Sequence, residues 1–377
     1  MQEPPLIPIN ILTGFLGSGK TTLLNRWVHQ TSMANTLVVI NEFGAIGLDH
    51  QLITQSDEQA VIEMSSGCLC CTLRGDLSRT LQQALEDLEA QDKALPSRVV
   101  IETTGLASPT SLLQLLMADH WLAHRFKLDS VVCCVDAANG MGTLDAHRES
   151  QQQVAVAEKL LITKTDLASE ETVSQLANRL AKLNPAAEQW QVTNGELSAD
   201  LLVGAGLARH APYADTGNDA HKDSQEYQVE KWLKAGSYAV HQAAPLTPRL
   251  LIGSPLGSYQ PEGTSHSDNI KSFCFSVNEL IEPEVLENWL DILMSLMGDK
   301  MLRIKAIVHL TDRDTPLALH GVQHIFHPPA PLPKNSVGDR VSRFVFITQN
   351  VTPATVAELY RFFTHPKRWP NDCFNPA

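Results

Sequence analysis

The run Gly14-Phe-Leu-Gly-Ser-Gly19-Lys20-Thr21 constrains this chain more than any other feature. It fits the pattern G-x-x-x-x-G-K-[ST], and its flanks fit too. An apolar stretch, Ile9–Leu12, precedes it and a helical stretch, Thr21–His29, follows. A strand that turns through glycines into a helix presents the helix's unpaired N–H groups at the turn. Gly14, Gly17, Ser18, Gly19 and Thr22 then form a cradle for phosphate oxygens. Lys20 adds a point charge, and the Thr21 hydroxyl is a ligand for Mg²⁺. The motif implies nucleoside triphosphate binding and leaves base and purpose open.

The rest of the first half alternates in the manner such a loop requires. Short apolar runs at Ile9–Leu12, Leu37–Ile40, Val99–Ile101, Ser130–Val135, Lys159–Ile162 and Gln189–Val192 read as strands buried on both faces. Helical stretches separate them at Thr21–His29, Leu77–Ala90, Ser111–Met117, Arg148–Ala157 and Glu170–Leu183. Ser108-Pro109 supplies a cap residue and a proline suited to a helix start. The expected fold is α/β, a doubly wound, mostly parallel P-loop domain over residues 1–205. Residues 206–269 lose the pattern to Gly, Pro, Ser, Asp and His and read as a linker, with one short amphipathic piece near Gln225–Lys234. Residues 270–377 read as a smaller α+β C-terminal domain. Its expected strands are Lys271–Val277, Arg303–Leu310, Gly321–Phe326 and Arg343–Ile347. Its expected helices, Pro283–Met297 and Pro353–Phe363, each open on proline.

Composition narrows the function classes. With 29 Lys and Arg against 42 Asp and Glu, the net charge is −13, and no basic run offers a footprint for nucleic acid. No stretch has the length of an uninterrupted apolar membrane span. The first ten residues carry no basic leader, so a cytoplasmic protein with neither membrane nor nucleic-acid partner is expected. The seven cysteines agree, because three of them crowd into Cys68-Leu-Cys70-Cys71 rather than spreading as a disulfide framework would.

Three loops follow strand ends, where ligands bind in open α/β sheets. In Thr163-Lys164-Thr165-Asp166, the Asp166 carboxylate would accept from the N1–H and 2-amino groups of guanine while the Lys164 stem packs along the base. Adenine lacks that donor pair. Glu102-Thr-Thr-Gly105 offers a carboxylate for Mg²⁺ or its waters and a glycine N–H for a γ-phosphate. Asn41-Glu42-Phe43-Gly44 offers a second carboxylate. Thiolates at i, i+2 and i+3 converge on one ion only if the chain turns sharply, which Ser65-Ser66-Gly67 permits. Zinc accepts such sulfurs at about 2.3 Å. Three cysteines leave a fourth position open, suited to handing a metal over. Cys133-Cys134, inside an apolar run, read as core packing.

Taken together, Gly14–Thr22, Asn41–Gly44, Gly67–Cys71, Glu102–Gly105, Ser130-Val-Val-Cys-Cys-Val-Asp136 and Thr163–Asp166 resemble the CobW-like metallochaperone GTPases, relatives of the nickel-insertion GTPases of urease and hydrogenase. The resemblance implies GTP with Mg²⁺ at the phosphate loop and slow hydrolysis involving Lys20, Glu102 and Gly105. It also implies Zn²⁺ or Co²⁺ on Cys68, Cys70 and Cys71, with Glu42 as candidate fourth ligand. The expected partner is a client apo-metalloprotein, and self-association is expected as well. Many such relatives carry a long His-rich stretch. Here His210, His221, His241 and His266 are isolated, which argues against bulk metal storage. His320, His324 and His327 admit either a second metal site or ordinary hydrogen-bonded histidines. Three other functions compete: a metal sensor or buffer with nucleotide as a structural ligand; a P-loop small-molecule kinase, against which Thr163–Asp166 speaks; and a redox role for Cys70-Cys71, against which the strain of a bridge between neighbouring cysteines speaks.

Overall fold

The computed structural model describes residues 6–40, 60–63, 73–202, 229, 232–238, 240–242, 270–334 and 336–364. The first half forms a seven-stranded sheet in which every neighbouring pair runs parallel. Its strands are β1 Ile7–Gly14, β2 Thr36–Ile40, β3 Ala60–Glu63, β4 Arg98–Glu102, β5 Phe126–Asp136, β6 Lys159–Thr163 and β7 Glu188–Val192. They lie in the order β3-β2-β4-β1-β5-β6-β7. Side chains alternate across the sheet, so each apolar run feeds two cores. Ile9, Leu37, Val39, Val99, Val131 and Leu160 face one core. Leu12, Val38, Val100, Val132 and Leu161 face the other. The helix α1 (Lys20–Trp27) covers the second face with Leu23, Leu24 and Trp27. The first face is covered by α2 (Leu73–Ala90), α3 (Pro109–Ala118), α4 (His120–Arg125), α5 (Gly140–Ala146), α6 (Arg148–Val156) and α7 (Glu170–Leu183). α7 shows the local logic: Val173, Leu176, Leu180 and Leu183 recur at helical spacing and are buried, and the Ser169 hydroxyl caps the Thr172 N–H.

A second sheet has the order β12-β11-β10-β14-β9-β8, with one short strand paired off that path. Its members are β8 Val240–Gln242, β9 Ile270–Val277, β10 Met301–Val308, β11 Leu317–Val322, β12 Ile325–Phe326, β13 Ala330–Pro331 (paired with β11) and β14 Ser342–Gln349. Pairing is antiparallel except between β8 and β9. Helices α8 (Pro283–Met297) and α9 (Pro353–Thr364) cover one face, where Trp289 meets Phe344 and Tyr360 edge-on, both at 5.0 Å. The first-sheet core also takes in Ile270, Leu302, Val322 and Ile347, so the second sheet packs onto the helical layer of the first.

Two expectations are corrected. In the stretch 206–269, Val229, Trp232 and Leu233 of the expected amphipathic piece near Gln225–Lys234 are buried with Tyr238 against Cys274 and Val345, but β8, which extends the second sheet, was not expected. Gly321–Phe326 is not one strand, because the chain reverses at Gln323 (φ 52°) between β11 and β12. β3, α4 and α5 carried no signal that the sequence reading picked up. Among the described residues no helix is long and apolar enough to cross a membrane.

Candidate functional site

β1 ends at Gly14, whose φ of 142° and closeness to β5 exclude a side chain: a Cβ there would stand 2.3 Å from the Cys134 carbonyl oxygen. The loop then closes with the Ser18 N–H on the Phe15 carbonyl (3.2 Å). α1 begins directly at Lys20 after Gly19, which makes no side-chain cap bond, so among the described residues its first amides stay available. Lys20 is buried and folds back, its Nζ donating to the carbonyls of Gly14 (3.0 Å) and Phe15 (3.2 Å). The Thr21 hydroxyl donates to Glu102 Oε1 at 2.6 Å, joining the start of α1 to the end of β4. Gly105 lets the loop after β4 press on the phosphate loop, since a Cβ there would meet the Leu16 nitrogen at 2.5 Å. Gly17, Gly19, Lys20, Thr21, Thr22, Glu102, Gly105 and Lys164 thus line one cleft of about 270 Å³.

The other side of the loop is built by β5 and β6. Thr163, the last residue of β6, is buried and donates to the carbonyls of Ser18 (2.7 Å) and Val135 (3.3 Å), which ties β6 to the phosphate loop. Lys164 takes a left-handed conformation (φ 56°) and pairs with Asp136 at 2.8 Å. Asp166 is exposed on the one-turn segment that follows and does not line the 270 Å³ cleft. Asp136 also accepts from the amides of Ala138 (2.8 Å) and Asn139 (3.2 Å) and from the Asn139 side chain (3.1 Å). Burial pushes its carboxyl up, but Lys164, Asn139 and the two amides outweigh that and hold it below the usual range. With Phe15, Ser18, Asn139, Thr143 and Lys164 it borders a second cleft of about 230 Å³. No role is expected of Asp136 or Asn139 from the sequence alone. The available signal was an acid placed directly at the end of an apolar strand.

Cys133 and Cys134 are buried, free and core-packed, as expected. Burial pushes both thiols up, Cys134 to about 12, which keeps them out of thiolate chemistry. The candidate metal ligands Glu42, Cys68, Cys70 and Cys71 lie outside the described residues. Among the described residues no group of three or more His, Cys, Asp or Glu is placed to hold a metal. The three histidines do not converge. His324 sits at the turn, 2.7 Å from Asp299, while His327 pairs across the hairpin with His320, its N–H on the His320 carbonyl at 2.9 Å. Burial, then Arg303, Lys305 and His327, drives the His320 ring well below its usual pKa, so it is neutral.

A family model described as "CobW/HypB/UreG, nucleotide-binding domain" matches residues 8–191, and one described as "Cobalamin synthesis protein cobW C-terminal domain" matches residues 270–361. Zinc chaperone YjiA of Escherichia coli is 36% identical over 196 residues, 52% of this chain and 60% of that protein. Zinc chaperone CobW of Pseudomonas aeruginosa is 29% identical over 258 residues, 60% of this chain and 66% of that protein. Zinc-regulated GTPase metalloprotein activator 1 of Schizosaccharomyces pombe is 33% identical over 197 residues, 51% of this chain and 47% of that protein. The chain therefore spans less than two thirds of each of these relatives. The crystal structure of zinc-bound YjiA GTPase from E. coli superposes with a TM-score of 0.64 at 21% identity. It covers 96% of this chain and 99% of that one, and the two share their fold.

Proposed function

Because the chain belongs to the CobW family, we propose that it is a GTP-hydrolysing chaperone that binds zinc, or cobalt, and delivers it to a client metalloprotein. Its metal affinity is coupled to the bound nucleotide. The observation that carries the catalytic half is the gathering of Lys20, Thr21, Glu102 and Gly105 around one cleft. Lys20 is held by two loop carbonyls and can exchange them for phosphate oxygens without moving its backbone. The Thr21 hydroxyl and Glu102 carboxylate form a pair of hard oxygen donors that fits Mg²⁺, which would neutralise charge on the phosphates. The Thr104 carbonyl accepts from the Ala107 N–H at 3.1 Å, so the trans peptide turns the Gly105 N–H the other way, where no acceptor among the described residues holds it and it can bind a terminal phosphate. Asp166 selects guanine, with Thr163 tying its loop to the phosphate loop and Lys164 tying it to Asp136 at the end of β5.

The metal half rests on Cys68, Cys70 and Cys71, with Glu42 as candidate fourth ligand. What supports their coupling to nucleotide is the sheet. β2 and β3 lead into Asn41–Gly44 and into the cysteine motif, and they end in register with β4: Ile40 lies beside both Glu63 and Glu102. The zinc-handling relatives support the choice of cargo. Among the described residues no arginine lines either cleft, so slow turnover accelerated by a client or a second copy is expected.

The test is metal affinity of the purified protein, by competition with a chromophoric chelator, with GTP analogue, GDP or no nucleotide. A Cys68/Cys70/Cys71→Ala variant is the control, and turnover of GTP is compared with that of ATP. One ion lost with the cysteines, an affinity change of tenfold or more with nucleotide (about 1.4 kcal/mol) and GTP preference are expected. Metal binding that survives the triple substitution overturns the cargo site. Nucleotide-indifferent binding reduces the protein to a buffer.

A further inference from the structure

Helix α6 carries three consecutive glutamines, Gln151, Gln152 and Gln153. Gln151 turns to α5 and donates to the Leu144 carbonyl at 2.8 Å. The next two reach the loop between β4 and α3. Gln153, with 0% exposure, donates from Nε2 to the carbonyls of Gly105 (3.1 Å) and Ala107 (3.0 Å). Gln152 Oε1 accepts from the Ser108 hydroxyl at 3.2 Å. A primary amide in a dry interior is costly unless bonded, and an apolar side chain of like volume would pack there with less penalty. Gln153 even leaves its Oε1 without a hydrogen-bond partner among the described residues. Packing alone does not call for an amide here. Its two N–H bonds are what it contributes, and both fix carbonyls of the loop that bears Gly105.

The far end of the same helix is held by the second sheet. The Val156 carbonyl accepts from Arg303, and Glu158, two residues on, pairs with Arg303 and with Lys305 (3.3 Å) while also accepting from the Val131 N–H (2.7 Å). Arg303 and Lys305 stand on β10, and Arg303 is only 4% exposed. A buried ion pair tolerates little displacement, because separating its partners strands a charge in the interior. α3, which continues the Gly105 loop, reaches the same sheet through Gln114 and Gln323 at the β11–β12 turn.

We propose that Gln153 is a positioning residue for the Gly105 loop, and that α6 transmits the state of this loop to the second sheet through Arg303 and Glu158. The proposal rests on the reading of the 270 Å³ cleft as a nucleotide site. A terminal phosphate that draws on the Gly105 N–H shifts a peptide whose neighbouring carbonyl Gln153 holds. The helix then carries that shift to β10.

The test uses the full chain with Gln153→Met, which keeps volume and removes the donor. Two quantities are read: steady-state GTP hydrolysis, and amide hydrogen exchange of residues 301–308 with GDP or a non-hydrolysable GTP analogue. The wild type is expected to exchange differently with the two nucleotides. The variant is expected to bind GDP within twofold of wild type, to lose that difference, and to show a kcat at least tenfold lower with KM changed less than threefold. Wild-type kcat, or an undiminished nucleotide difference at 301–308, overturns the proposal. If Gln153→Met does not fold, Ser108→Ala takes its place, with a threefold fall in kcat expected and no change overturning the proposal. A wild type that binds no guanine nucleotide refutes the underlying site reading instead, and the proposal falls with it.

Discussion

Gly105→Ala isolates one contact on which the catalytic reading depends. The added Cβ would stand 2.5 Å from the Leu16 nitrogen and 2.7 Å from both its Cα and its Cδ2. Two of those atoms are backbone and cannot rotate aside. Restoring an ordinary separation of about 3.5 Å parts the two loops by roughly 1 Å. A misplacement of about 1 Å in a catalytic constellation costs on the order of a hundredfold in rate, and overpacking of this kind costs about 1–3 kcal/mol of stability. The phosphate loop itself is unaltered, so GDP affinity should stay within threefold while kcat for GTP falls about a hundredfold. Gly142→Ala is the control, since a Cβ there meets nothing within 4 Å. Stopped-flow GDP binding, steady-state hydrolysis and thermal melts on the three proteins decide the matter. Gly105→Ala with kcat within twofold of wild type would refute the view that close approach of these loops serves catalysis.

Three further perturbations probe the base loop and the contact between the sheets. Asp166→Asn should lower the preference for GTP over ATP by about 10–100-fold, the value of a charge-assisted hydrogen bond. Competition binding measures it, and an unchanged ratio removes Asp166 from base selection. Arg303→Met leaves Glu158 with Lys305 and the Val131 amide alone, and should cost about 3 kcal/mol in urea unfolding, the low end for a broken buried pair. A loss below about 1 kcal/mol, the range of surface pairs, would contradict the burial argument. Lys305 is pushed down to about 7 by burial and by Arg303, against the pull of Glu158. Between that value and the unfolded pKa of 10.5 the unfolded chain binds more protons, so stability rises with pH across this window. Urea curves at pH 7 and pH 9 should show that rise in the wild type and a smaller one in Lys305→Met; parallel behaviour would refute the assignment.

What could be read from the sequence was whatever is encoded locally. Apolar runs marked most of the parallel strands, and Pro283 with its amphipathic repeat marked α8 from end to end. β3 escaped because it is four residues long, and its identity comes from pairing in register with Leu37–Ile40 rather than from its own composition. α5 opens Gly-Met-Gly, a poor helix sequence, just after the turn that the Asp136 carboxylate caps. Gln323 adopts a left-handed conformation without being glycine, so the β11–β12 turn carried no punctuation. In the polar stretch after residue 205, Trp232 belongs to the amphipathic piece that the sequence showed, whereas Tyr238 was the overlooked hint, since large aromatic side chains seldom sit in a true linker. At the cleft, the phosphate loop was legible because its parts are adjacent in sequence. The Lys164–Asp136 pair spans 28 residues and the Gln153–Gly105 bond spans 48, and no local pattern announces either.

The order of the strands bears on which nucleotide feature the proposed metal site would sense. β1 is central, with β4, β2 and β3 on one side and β5, β6 and β7 on the other. Glu102 ends β4 and Gly105 follows it, whereas Thr163 ends β6 and Asp166 follows it, so the proposed terminal-phosphate loop and base loop leave opposite halves of the sheet. The strands that feed Asn41–Gly44 and the cysteine motif, β2 and β3, belong to the β4 half. Coupling between metal and nucleotide should therefore follow the terminal phosphate and not the occupancy of the base loop. Chelator competition should give metal affinities that agree within about twofold for the GDP-bound and nucleotide-free protein and differ by tenfold or more with a GTP analogue, about 1.4 kcal/mol of coupling. An equal response to GDP and the analogue would show that filling the base loop suffices, and would refute coupling through the β4 side of the sheet.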